Sequence, residues 1–160
     1  MTHELRTPST PWARRTAALA VGLAALTLAM PGASAHEIAR DGNVGGLLHI
    51  EPDDAPVVGR ANAFYFEVNQ KGGTPVLLTQ CACTLSVYAG GVRAGATPLS
   101  RPRLTQAKGE LKGVLNFPTP GAYTLVLNGT PRAGATFGKF KLSWVVRADV
   151  AGTGGMDMNH

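Results

Sequence analysis

The chain has 160 residues, 44% of them hydrophobic and 16% charged, with a formal charge of +5. That length provides one domain and a modest single core. Its basic residues are scattered, with no Lys/Arg run and no aromatic residues interleaved among them, which argues against a nucleic-acid partner.

The first predicted element is a leader. Arg6, Arg14 and Arg15 precede an apolar run from Thr16 to Met30, Pro31-Gly32 interrupts it, and Ala33-Ser34-Ala35 forms a small-x-small triplet. A charged start, a short apolar stretch and such a triplet describe a secretory signal peptide over 1–35. The run is about 15 residues long, short of the ~20 that a spanning helix needs, so the mature form is expected without a membrane span. The expected location is the periplasm, the cell envelope or the extracellular space. Arg14-Arg15 leaves both the general secretory and the twin-arginine routes open. Cleavage after Ala35 makes His36 the first residue of the mature chain and leaves 12 basic against 9 acidic residues, a balance of +3.

Beyond the leader, short period-2 segments alternate with Gly, Pro, Asn and Asp, the pattern of an antiparallel sandwich or barrel. Strands are expected at Gly45–Ile50, Asn62–Asn69, Pro75–Leu78 and Cys83–Tyr88. Further ones follow near Arg103–Thr105 and at Leu111–Phe117, Ala122–Leu127 and Phe137–Arg147. In these, Phe64, Phe66 and Val68 share one face, as do Tyr123, Leu125 and Leu127, and Phe140, Leu142, Trp144 and Val146. Asn128-Gly129-Thr130 reads as a turn after a strand. Pro120-Gly121-Ala122-Tyr123 has the form of a tyrosine corner. The fold class is therefore all-β: an antiparallel immunoglobulin-like or cupredoxin-like β-sandwich of about seven to eight strands over 36–147, followed by a flexible Gly/Met/His tail over 148–160.

Residues with metal-binding atoms are concentrated at the ends of the mature chain and in one motif. An N-terminal histidine offers its α-amine and its imidazole together. With a second imidazole, for which His49 is the candidate, it makes a three-nitrogen site suited to Cu(II). Glu51-Pro52-Asp53-Asp54 lies close by and reads chiefly as turn chemistry, with a carboxylate available to complete a shell. Cys81-Ala82-Cys83 places two sulfurs on one face of an extended segment. The pair is open to three uses: a Cu(I) site, a disulfide or redox pair, and simple packing. Regular strand geometry separates such Cα atoms by ~6.6 Å, near the upper limit for a disulfide. The tail carries Met156, Met158 and His160, whose thioethers and imidazole suit capture of copper. No Gly-x-Ser-x-Gly elbow and no phosphate-binding Gly motif occurs, so neither a serine hydrolase nor a nucleotide enzyme is supported.

With Ala33-Ser34-Ala35-His36 and the strand pattern over 45–147, the chain resembles small exported copper carriers of the CopC-like type, on a cupredoxin-like sandwich. That resemblance implies His36 as a copper ligand. It implies no other residue, because the late Asp-x-His element of that family is absent here. The segment 44–88 is also similar to uncharacterised exported bacterial proteins. The expected function is an exported copper-binding protein, a carrier, chaperone or buffer, that is not an enzyme and has copper and another envelope copper protein as partners. The alternatives are a non-metal interaction module of the envelope and, further off, an oxidative copper enzyme similar to lytic monooxygenases.

Overall fold

The alternation of apolar and polar side chains puts every second residue on one side of a strand, and burial follows it closely. The computed structural model describes residues 37–152, all within one compact unit, Gly32–His160. Its strands are β1 (Ala39–Asp41), β2 (Val44–Ile50), β3 (Ala61–Gln70), β4 (Cys81–Ala89), β5 (Thr105–Ala107), β6 (Glu110–Asn116), β7 (Gly121–Pro131) and β8 (Phe140–Ala148). They form a five-stranded sheet in the order β1-β2-β3-β6-β5 and a three-stranded sheet in the order β4-β7-β8. All of these strand pairings are antiparallel. The chain is an all-β, two-sheet antiparallel sandwich. Among the described residues no helix is long and apolar enough to cross a membrane.

The inward residues of both sheets share one core, in which the rings of Phe66 on β3 and Trp144 on β8 lie 4.8 Å apart. Burying such rings supplies most of the favourable free energy, roughly 2–3 kcal/mol for each large side chain. Gly46 on β2 belongs to this contact. A Cβ there would stand 2.8 Å from Leu142 Cδ1 and 3.1 Å from the Trp144 ring, so only glycine lets β2 lie this close to β8. The tyrosine corner is present: the buried Tyr123 hydroxyl donates to the Thr119 carbonyl at 2.7 Å and accepts the Thr119 N–H at 3.2 Å.

Two bonds tie the N-terminal segment to the opposite sheet. Trp144 Nε1–H donates to the carbonyl of Glu37 at 3.0 Å, and the backbone N–H of Lys141 donates to Asp41 Oδ2 at 2.8 Å. β1 itself is too short and too polar to announce itself by alternation.

Some expectations are corrected. Residues 75–78 form no strand. Pro75 makes an isolated bridge to Asn69, and Val76 N–H reaches the Val68 carbonyl before the chain leaves the sheet. Asn128-Gly129-Thr130 is no turn but the continuation of β7 to Pro131, paired with β4 on one side and β8 on the other. Gly129 sits there because the Phe140 ring occupies the space of a Cβ. The C-terminal boundary also lies later than expected: Ala148 closes β8 and Asp149 bridges Val57.

Candidate functional site

The register of the five-stranded sheet assembles one polar row on its outer face. His49 pairs with Tyr65, Tyr65 with Lys112, and Lys112 with Thr105, so four neighbouring strands each place a polar side chain in line. The His49 and Tyr65 rings stack with centroids 4.6 Å apart, and the Lys112 ammonium lies 5.6 Å from the Tyr65 ring centroid. Lys112 also pairs with Glu110 at 2.8 Å.

His49 is the penultimate residue of β2, at the strand end where the sequence suggests it. Both ring nitrogens face carboxylates: Nδ1 lies 3.6 Å from Asp54 Oδ2 and Nε2 lies 3.9 Å from Glu67 Oε1. Asp54 arrives there through the turn after β2. Asp53 and Asp54 both adopt φ of 55°, a conformation that Asp tolerates better than most residues. Asp54 Oδ1 accepts the Ile50 N–H at 2.7 Å, leaving Oδ2 toward the imidazole. The turn chemistry read from the sequence is therefore present, and the same carboxylate also serves the histidine.

The row is acidic in character. The Tyr65 phenol is held above its ordinary pKa of 10.0, first by partial burial and then by the negative charges of Glu51, Glu110, Glu67 and Asp54. Glu67 also borders a groove of about 620 Å³ on the same side of the sheet, floored by Gly45 and flanked by Arg40, Leu47 and Asn69.

Cys81 and Cys83 are joined in a disulfide, with Cα atoms 5.2 Å apart rather than the ~6.6 Å of a regular strand. Of the uses left open by the sequence, the structure therefore presents the disulfide. In this state there is no thiolate for Cu(I), and a metal can use the pair only after reduction. Cys81 is buried on the core side of β4 and Cys83 is partly buried beside it. The bridge and His49 lie on different sheets and different faces. Cys81 and Cys83 are on β4 of the three-stranded sheet and pack toward the core, whereas His49 is on β2 of the five-stranded sheet, opposite Tyr65 at the middle of β3, with its ring on the outer face. His49 and the cysteines therefore cannot share one ion.

His36, Met156, Met158 and His160 lie outside the described residues. Among the described residues no group of three or more His, Cys, Asp or Glu side chains is arranged to hold a metal ion. Sequence reasoning missed Tyr65, Glu67 and Lys112. Alternation alone gives their outward direction, but only the register makes them neighbours of His49.

The arrangement defines a small β-sandwich with a polar, carboxylate-rich row across one open sheet face. No protein family matches the chain, and no curated protein matches it. Among solved structures it is similar to a DUF4426 family protein from Pseudomonas aeruginosa PAO1, at 13% identity and a TM-score of 0.44, over 69% of this chain and 94% of that one.

Proposed function

We propose that the exported, processed chain binds Cu(II) through the amine and imidazole of His36 together with His49, and serves as a carrier or buffer of that ion. The observation that carries this reading is the β1–β2 register, Ala39 with Gly46, Arg40 with Gly45 and Asp41 with Val44. That register lays β1, which begins three residues after His36, along β2, the strand that carries His49. The Glu37 carbonyl, just before β1, is held by Trp144 on β8. Glu67 and Asp54 beside His49 add negative charge that favours a divalent cation over a bare imidazole pair.

In this reading the chain's own residues do three things. Trp144 positions the N-terminal segment, His36 and His49 supply nitrogen, and the carboxylates beside His49 orient its ring, while protons displaced by copper pass to solvent. Once an external dithiol has reduced the bridge, being itself oxidised to a disulfide, Cys81 and Cys83 lose their protons to form a separate site that holds Cu(I), with Met156, Met158 and His160 assisting capture.

The experiment is titration of Cu(II) into the chain starting at His36, read by calorimetry and electron paramagnetic resonance. One added residue before His36, or His49→Ala, is expected to weaken binding at least about tenfold and to remove nitrogen hyperfine structure. Unchanged affinity in both variants refutes the site. The second reading, a non-metal envelope module, is favoured by the disulfide state of the cysteines. It predicts that the purified protein carries no metal and takes up none.

A further inference from the structure

Charges that are scattered along the sequence are segregated in the fold. Between Val68 and Ala148 the only carboxylate side chain is Glu110, against ten lysines and arginines. That span supplies the whole three-stranded sheet, and β4, β7 and β8 contain no acidic residue. The strict alternation of β8 sends Lys141, Ser143, Val145 and Arg147 outward, all exposed. Across β7 and β4 the outward-directed Thr124, Val126 and Ser86 are buried, so the exposed part of this face is the β8 stripe together with the ends of β7 and β4.

The free edge of β4 is extended by a further segment. Leu99 N–H donates to the Val87 carbonyl at 2.7 Å, and Val87 N–H donates to the Ser100 carbonyl at 3.0 Å. Leu99 and Ser100 both bond the one residue Val87, as in a β-bulge, and Leu99 and Arg101 are exposed there. Leu99 and Val145 are each 48% exposed on this surface. Two carboxylates approach its rim: Asp149 lies 3.2 Å from Arg147 Nε, and Asp41 accepts the Lys141 N–H. Glu51, Asp54, Glu67 and Glu110 all gather instead around Tyr65 on the other sheet.

We propose that the exposed β8 stripe of the three-stranded sheet, with the exposed Leu99 and Arg101 at its other edge, docks on the surface of an anionic lipid bilayer. Lys141, Arg101 and Arg147 meet the headgroups, while Val145 and Leu99 enter the interface. Cations around protruding aliphatic side chains on a sheet face suit a plane of negative headgroups. The groove beside Glu67 is on the opposite sheet. Each Lys or Arg near such a surface contributes about fivefold to partitioning, so a few give reversible, salt-sensitive attachment. A single-stranded nucleic acid needs stacking platforms, and among the strands of this sheet the only outward aromatic is Tyr88. Docking in this orientation turns the His49 row toward solution. The inference is independent of copper binding.

The test is co-sedimentation with vesicles of phosphatidylcholine alone and of equimolar phosphatidylcholine and phosphatidylglycerol. It is run on the full chain and on the compact unit from Gly32 onward, which holds the entire core. The unit is expected to bind the anionic vesicles and not the neutral ones, and to be released by high salt. Lys141→Glu with Arg101→Glu is expected to reduce partitioning at least about tenfold, and Val145→Ser about twofold. Arg60→Glu, before β3 of the other sheet, is expected to change it less than about twofold. Circular dichroism checks folding, and the milder pair Lys141→Gln with Arg101→Gln reads the same loss should the reversed charges unfold the sheet. The proposal is overturned by absence of binding to anionic vesicles, by equal binding to neutral ones, or by an equal loss in Arg60→Glu. Capture of an acidic protein or a nucleic acid without vesicle binding overturns it as well.

Discussion

Trp144 on β8 holds the backbone of Glu37 by an indole N–H to carbonyl bond of 3.0 Å, linking the three-stranded sheet to the segment that leads into β1. Trp144→Phe keeps the contact with Phe66 but removes the donor and part of the ring volume. The expected loss is about 2–3 kcal/mol in chemical denaturation, with faster amide exchange over residues 38–41. Unaltered exchange in that segment would contradict an anchoring role.

Tyr123→Phe isolates the contribution of the corner. The phenol is buried, and its hydroxyl both donates to and accepts from the Thr119 backbone. Phenylalanine preserves the packing against Phe117, whose ring lies 4.7 Å away, while leaving the Thr119 groups without their partner. Stability is expected to fall by about 1–2 kcal/mol with no change in the far-ultraviolet spectrum. A loss below a few tenths of a kcal/mol would show that water takes over both bonds.

The cysteine bridge spans a sequence separation of 2, so it removes little entropy from the unfolded chain. Replacing both residues by alanine is expected to cost about 1–2 kcal/mol and to lower the melting temperature by roughly 5–10 °C, leaving the fold intact. Cu(I) uptake, read by competition with a chromogenic chelator, is expected only after the bridge is reduced. Uptake by the oxidised protein at unchanged stoichiometry would assign Cu(I) to residues other than Cys81 and Cys83.

Tyr65 gives the acidic row a spectroscopic handle. Its phenol keeps its proton above the ordinary pKa of 10.0 in the folded state. Below that pH both states are protonated and the group contributes nothing to the pH dependence. As pH rises through 10 the unfolded chain loses the proton first, so stability falls from there upward. Phenolate absorbance is expected to show a late-titrating component that disappears in Tyr65→Phe and moves to lower pH in Glu67→Gln. A component that is unmoved in Glu67→Gln would mean that carboxylate does not act on the ring.

Much of the sandwich was legible in the sequence because burial on one face of a strand imposes a period of two. The inward residues of β3, β7 and β8 and the tyrosine corner follow from that rule. What escaped was set by pairing. β1 exists because Asp41 and Glu37 find partners on β8, and β7 runs past Asn128 because Phe140 covers Gly129. Apart from Asp54 in the adjoining turn, the neighbours of His49 come from strands 16 or more residues away in sequence, and no local pattern encodes that adjacency. The two-sulfur motif pointed to one shared face but did not decide between a bond and an ion. The imbalance of charge is visible in the sequence, where Glu110 is the one carboxylate between Val68 and Ala148, but the sheet those residues build is set by pairing.

Asp41 guards the sandwich against its own repetition. β8 is the margin of its sheet, and a bare margin invites another chain to add itself, strand upon strand. By occupying the Lys141 amide, a single carboxylate withholds one of the rungs on which such growth begins.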